Sequence, residues 1–225
     1  MYALYKTVRY TPIVAKNETG RQHRVRKTPD ERRSEILAAT IRLVGQRGFN
    51  GISLKDVADE VGMSQPGLLH YVGNKEGLLS LLVTDVYDMS GTPKDFLDSG
   101  LPGSDPQSPH FPAYLRFLVR HNADRKSLMQ LYTVLQSEAN ATGHPLYDYF
   151  QARPEQVWNL YSEFPWNLPD EVGGWENMRP LVRMCIEAMD GVQLRVLRQP
   201  PVDLYDEWLA FEKILFPSPV WDGYR

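Results

Sequence analysis

A single cysteine, Cys185, stands among the 225 residues. One thiol excludes an intrachain disulfide framework, and such scarcity fits a reducing, cytoplasmic setting. The chain also lacks any apolar run of the ~18 residues that a membrane span requires, so no membrane partner is expected. Its first 20 residues lack the unbroken apolar stretch of a secretory signal. The five histidines, His23, His70, His110, His121 and His144, never fall at the spacing that puts two metal ligands on one helix face. Glycine-rich phosphate loops and GxSxG are absent too. Neither metal, cofactor nor catalytic centre is expected, and the chain does not read as an enzyme.

The formal net charge of −3 conceals an asymmetry. Residues 1–80 carry 13 Lys and Arg against 8 Asp and Glu, whereas residues 81–225 carry 12 against 20. The basic excess is expected to sit with the motif described next, as phosphate contact requires. The acidic remainder suits solvent or a partner.

The most informative stretch is 53–72, SLKDVADEVGMSQPGLLHYV. Ser53 is a good N-cap, and Asp56 three residues on makes a near capping box. Leu54, Val57, Ala58 and Val61 recur at helical spacing. Gly62 supplies a turn conformation that a side chain would hinder, Ser64 can cap a second helix, and Pro66 fits that helix's first turn. Two short helices joined by a tight turn are the geometry that lays one helix in the major groove of DNA.

The flanks extend the pattern. A helix is predicted from about Asp30 to Arg47, burying Ile36, Leu37, Ala39, Thr40, Leu43 and Val44 and ending at Gly48. After the motif, Asn74 can cap a longer helix with Glu76 in its first turn and Leu78, Leu79, Leu82 and Val86 on one side. Three short helices leading into a long fourth resemble the DNA-binding domain of TetR-family transcriptional regulators. The resemblance covers residues 30–82 and is carried by Arg33, Ile36, Leu37, Ala39, Leu43, Gly48, Ser53, Val57, Ala58, Gly62, Ser64, Leu68, His70, Tyr71, Lys75, Glu76 and Leu78. Leu69 and Val72 depart from it, standing where the family usually carries Tyr and Phe. The segment 171–203 and the phrase HPLYDYFQAR look like actinobacterial-type regulatory domains of that family, which implies a ligand-sensing region without identifying a ligand.

Along the chain, residues 1–28 read as a basic arm, flexible and able to track phosphates. Residues 29–73 read as the helix-turn-helix domain, 74–217 as a helical ligand-sensing and dimerisation domain, and 218–225 as a tail. Residues 91–112, with five prolines, read as an irregular connection. Helices are predicted over Ala113–Ala123, Lys126–Ala141 and His144–Phe164, the last kinked or split by Pro154. Two more follow, over about Trp175–Arg198 and Leu204–Phe216. The fold class is therefore all-α, an N-terminal three-helix head plus a helical C-terminal regulatory and dimerisation domain, about nine helices in all.

Candidate DNA contacts are Ser64, Gln65, Pro66 and Gly67 at the start of the recognition helix, with His70 and Tyr71 further along it. Ser53, Lys55 and Lys75 flank it, and Arg26 and Lys27 end the arm. His70→Ala and Lys75→Ala are expected to weaken DNA binding with little change in melting temperature. Phe117, Met129, Tyr132, Phe150, Trp158, Tyr161, Trp175 and Met178 are candidates for an effector pocket, each competing with a plain core role. Val182, Met189, Val192 and Val196, with Leu204, Trp208, Phe211 and Leu215, form apolar stripes expected at a homodimer interface. The function this implies is a dimeric regulator, a repressor, that binds a palindromic double-stranded DNA operator and is released by a small, largely apolar effector. The alternative is a DNA-binding regulator controlled by a protein partner or by abundance.

Overall fold

The computed structural model describes residues 27–87 and 90–225. Among these it forms ten α-helices and no strand, with one isolated parallel bridge between His110 and Asn167.

Helix α1 (Pro29–Arg47) starts where Thr28 and Glu31 close a reciprocal capping box and Pro29 takes the first turn. It buries Ile36, Leu37, Ala39, Thr40, Leu43 and Val44, the stripe read from the sequence. Helix α2 (Leu54–Glu60) opens on the Ser53–Asp56 capping box. Its end is a left-handed stop: Gly62 has φ 63°, its N–H donates to the Asp59 carbonyl, and the Met63 N–H donates to the Ala58 carbonyl at 2.8 Å. Helix α3 (Gln65–Val72) follows at once, capped by Ser64. Helix α4 (Lys75–Leu82) is capped by Asn74, but the long α-helix predicted there does not continue. Val83–Tyr87 instead form a π-helical turn.

The proline-rich connection contains a helix that the sequence reading missed, α5 (Pro93–Leu97). Its signal was present: Thr92 and Asp95 make another capping box, and Phe96 is buried. Helices α6 (Phe111–Ala123) and α7 (Lys126–Glu138) then follow, joined by a two-residue turn. Helix α8 (Tyr147–Ser162) carries Pro154 inside one continuous span and is not split. Two 3₁₀ turns, Asp170–Val172 and Trp175–Met178, precede α9 (Arg179–Arg198), and α10 (Leu204–Leu215) completes the set.

The apolar residues form two cores. One joins the head to the far half: Ile36, Val44, Val57, Leu68, Leu79 and Leu82 pack together with Leu128, Leu131 and Leu135 of α7. The other is built on α6, α9 and α10 and takes in Met129 from the same α7. Helix α7 therefore serves both. Residues 218–225 are not a loose end, since Trp221 is buried edge-on to Phe216 at 4.9 Å. Across the second core the buried Glu212 carboxylate takes two bonds from Arg116, at 2.7 and 2.5 Å, tying α10 to α6.

Candidate nucleic-acid interface and effector region

Helix α3 is held by one face and open on the other. Leu68 and Val72 point into the head's core, while Ser64, Gln65, Pro66 and His70 are exposed. The Ser64 hydroxyl accepts the Gly67 N–H at 3.2 Å, and a Cβ on Gly67 would stand 3.2 Å from that same oxygen. Glycine at this position leaves the cap its room. Tyr71 is half-buried against the core and meets His70 edge-on at 5.7 Å. Of the candidate contacts on α3, Tyr71 anchors and the others face outward.

The flanking candidates fall differently. The Ser53 hydroxyl is engaged by Asp56, and its bonds hold the Asp56 carboxyl below its usual range. Lys55 is exposed and pairs with Asp59 at 2.8 Å. Lys75 turns inward, its ammonium 2.5 Å from the Ile52 carbonyl and 4.2 Å from the centroid of the Phe49 ring. That placement engages within the head the ammonium expected at the DNA backbone. Lys27 pairs with Glu35 at 2.7 Å. Arg26 lies outside the described residues.

Charge placement is also corrected. Within residues 27–80 seven Lys and Arg face seven Asp and Glu, so the helix-turn-helix itself carries no basic excess. Arg42 pairs with Glu60 at 2.9 Å, and Arg47 lies 3.8 Å from Asp56. The whole surplus belongs to residues 1–26, with six basic groups against one acidic.

Head and far half are clasped along α1 and α7. The Gln130 amide donates to the Gly45 carbonyl at 2.5 Å, and the Phe49 N–H donates to Glu138 at 3.1 Å. The π turn is held as well, since Arg125 donates to the Val86 carbonyl at 3.2 Å.

The eight pocket candidates do not line one cavity. Met129, Trp158, Tyr161 and Met178 are buried in the second core, and Phe117 and Trp175 pack partly against it. Their spacing reflected packing. Trp175 also borders an open surface hollow of about 550 Å³ beside Trp166 and Pro169. Tyr132 and Phe150 sit elsewhere, 5.5 Å apart, in an arrangement the sequence did not disclose. There Tyr87, from the π turn, stacks on Tyr132 at 4.0 Å with the rings 9° from parallel. The Arg153 guanidinium lies 5.3 Å from the Tyr87 centroid, 5.4 Å from that of Tyr132 and 5.5 Å from that of Tyr149. Asp190 of α9 borders this group and accepts the Gln136 amide at 2.8 Å. Burial pushes the Asp190 carboxyl up, against the pull of the Gln136 bond and the Arg153 charge.

The proposed dimer stripes are corrected too. Val182, Met189, Val192, Val196, Leu204, Trp208 and Leu215 are buried within the protomer, Trp208 completely. The inner face of α10 runs through Leu204, Trp208, Glu212 and Leu215. Phe211 alone of that set is turned outward, 39% exposed, beside Ile214 at 76% and Met184 of α9 at 50%.

Comparison with known proteins places these features. Residues 36–82 match the family model described as bacterial regulatory proteins, tetR family. The HTH-type transcriptional regulator BetI of Vibrio vulnificus (strain YJ016) is 33% identical over 58 residues, which cover 26% of this chain and 29% of the relative. The chain thus aligns with less than a third of that relative's length. A structure described as a TetR-family transcriptional regulator from Rhodococcus sp. matches with a TM-score of 0.57 at 17% identity, over 83% of this chain and 98% of the other. The fatty acid degradation regulator FadR from Bacillus halodurans matches with a TM-score of 0.58 at 15% identity, over 87% and 99%. At such identities these two likenesses speak for the fold. No described helix is long and apolar enough to cross a membrane. Residues 36–82 thus match the tetR family of bacterial regulatory proteins in sequence, and the helical architecture over most of the chain resembles that of a solved TetR-family regulator in fold.

Proposed function

We propose that the protein is a DNA-binding transcriptional regulator, a repressor, that acts as a homodimer on a palindromic operator and is released by a small, largely apolar effector. The observation that carries this reading is the two-sidedness of α3. Leu68 and Val72 fix it to the core while Ser64, Gln65 and His70 stand in solvent at a capped helix start. Ser64 and Gln65 suit phosphate and base edges there, where helix N–H groups and the macrodipole favour an anion. Residues 29–73 act as the reading head and 74–217 as the sensing and dimerising part.

One recognition helix covers too few base pairs for specific binding, so two copies related by a twofold axis are needed, spaced by about one DNA turn of ~34 Å or a multiple. Met184, Phe211 and Ile214 offer the exposed apolar surface for that pairing. With the head itself neutral, non-specific affinity is assigned to the basic arm. Arg21, Arg24 and Arg26 act there with Lys27.

The test is fluorescence anisotropy with duplexes from the intergenic region upstream of the gene, read against salt. Binding to one palindromic segment, abolished by His70→Ala in an otherwise folded protein, supports the reading. Failure to bind any such duplex above the level of random sequence sinks it.

A further inference from the structure

The chain that leaves the π turn on its way to α5 is pinned by one side chain. Arg125, in the turn between α6 and α7, donates from Nη2 to the Val86 carbonyl at 3.2 Å and from Nη1 to the Ser90 hydroxyl. The same Nη1 lies 2.6 Å from Nε2 of His121, one helical turn earlier on α6. A guanidinium has donors and no acceptor, so that contact requires a lone pair on Nε2 and an unprotonated ring. The ring is also confined. It lies 6.1 Å from the Phe117 ring and 21° from parallel with it. On its other side Gly91 passes so close that a Cβ there would stand 2.9 Å from His121 Cδ2. Tyr114 completes the tie by donating to the Gly91 carbonyl at 3.1 Å.

We infer that His121 and Arg125 form a proton-sensitive pin: a proton on His121 replaces an accepting atom with a second cation, drives Arg125 off Val86 and Ser90, and loosens the chain joined to α4. The inference rests on the DNA-binding reading above and adds to it a regulation by acidity. The charged groups around the ring are Arg125, Asp124 at the end of α6 and Asp95 of α5. Both carboxylates favour the proton, but burial and the Arg125 charge prevail and hold the imidazole below its ordinary 6.5. The Asp95 carboxylate is already taken by the Thr92 N–H and hydroxyl, each at 2.9 Å. Tyr87, on the π turn, is the ionisable group beside Arg125, and burial keeps its phenol protonated. The pin is therefore closed at neutral pH and opens in mild acid. Helix α4, which this chain prolongs, packs against α1 and α3 of the head. A held α4 presents the reading helix already placed. A loosened one must be ordered again when DNA binds, and that costs affinity.

The test follows the full chain, nitrogen-15-labelled and free of DNA, by NMR from pH 8 to 5. The amides of Val86, Ser90 and Gly91 should move together with one midpoint below 6.5, shared with the His121 ring. His121→Gln, which keeps an accepting oxygen and takes up no proton, should abolish the movement. Arg125→Gln removes the opposing cation and should raise the His121 midpoint, which a merely structural role would not do. Amides that ignore pH over this range, amides that move equally in His121→Gln, or an unshifted midpoint in Arg125→Gln would each overturn the pin. Should either variant not fold, the other and the wild-type titration decide. Anisotropy with the upstream duplexes at pH 7.5 and 5.5 then reads the consequence. Acid should lower wild-type affinity by about fivefold or more relative to His121→Gln, the other histidines being common to both proteins. A pin that titrates while both proteins lose equal affinity keeps the switch and refutes its control of DNA. A protein that binds no duplex at either pH refutes the DNA-binding reading, and the amide titration still judges the pin.

Discussion

Lys75 holds its ammonium over the face of Phe49, 4.2 Å from the ring centroid, and so joins the start of α4 to the segment after α1. The same ammonium donates to the Ile52 carbonyl. Removing it deletes a cation–π interaction and leaves a backbone acceptor poorly served. Lys75→Ala should therefore cost about 1–3 kcal/mol and lower the melting temperature by several degrees. His70→Ala, on the exposed side of α3, should leave the melting temperature unchanged while weakening DNA binding. Paired thermal melts and anisotropy titrations separate the two variants. A Lys75→Ala protein as stable as its parent would show that the interaction contributes nothing.

Gly48 closes α1 with φ 71° and ψ 167°, a conformation that side chains rarely adopt. A Cβ there would also lie 2.8 Å from the Glu138 carboxylate, which must stay in place to receive the Phe49 N–H. Gly48→Ala should destabilise the protein by about 1–3 kcal/mol, seen as a lower urea midpoint at unchanged slope. Gly62 presents the contrasting case. It has φ 63° with nothing within 4 Å, so strain there would come from the backbone alone.

Ile214 is 76% exposed, yet its neighbours Phe211 and Met184 make the surface around it apolar. Ile214→Glu should leave the fold intact and split the proposed dimer, read by sedimentation velocity across a concentration series. DNA affinity should fall with it, because each half of the palindrome would then be bound alone. A variant that sediments as the parent does moves the seam off this face.

Asp190 has its carboxyl pushed above the normal aspartate range, chiefly by burial. The folded state therefore binds this proton more tightly than the unfolded chain. The stabilising effect is fully present below the unfolded value of 3.8 and disappears as pH rises through the folded value. Above the folded value the charged carboxylate is a burden, and Asp190→Asn should there melt at a higher temperature than the parent. That advantage should shrink as pH falls towards 4. Melts across a pH series check it, and a constant difference across the series would contradict it.

Arg21, Arg24 and Arg26 together carry half of the basic groups that precede residue 27. Changing all three to Gln should reduce the salt dependence of DNA binding by up to about 2.7 in slope, ~0.9 for each phosphate left unneutralised. Base preference should be unaffected. An unchanged slope would mean that the arm does not touch the duplex.

The head was legible in the sequence because its signals are local. Ser53, Asp56, Gly62, Ser64 and Asn74 each act within four residues of themselves, and all five perform the capping or turning role their chemistry suggests. Stripes on α9 and α10 were equally visible, but periodicity reports a buried face without saying what buries it. Val182 and Trp208 meet their own protomer, and the outward residues, Met184 and Ile214, looked like noise in the pattern. Phe211 was misplaced because Glu212, a charge paired with Arg116, occupies the inner face that an apolar residue was expected to fill. The tyrosine group around Arg153 was hidden for another reason. Tyr87, Tyr132, Arg153 and Asp190 come from four elements, and no spacing in the chain foretells that a π turn will bring the first of them onto the second.

Helix α7 has a consequence for anyone who would graft this head onto another protein. Leu128, Leu131 and Leu135 complete the core around α1, although they lie more than forty residues beyond Gly73. A fragment cut after Gly73 would carry its reading surface intact but leave its underside bare to water. A working chimera must therefore borrow the distant helix along with the head.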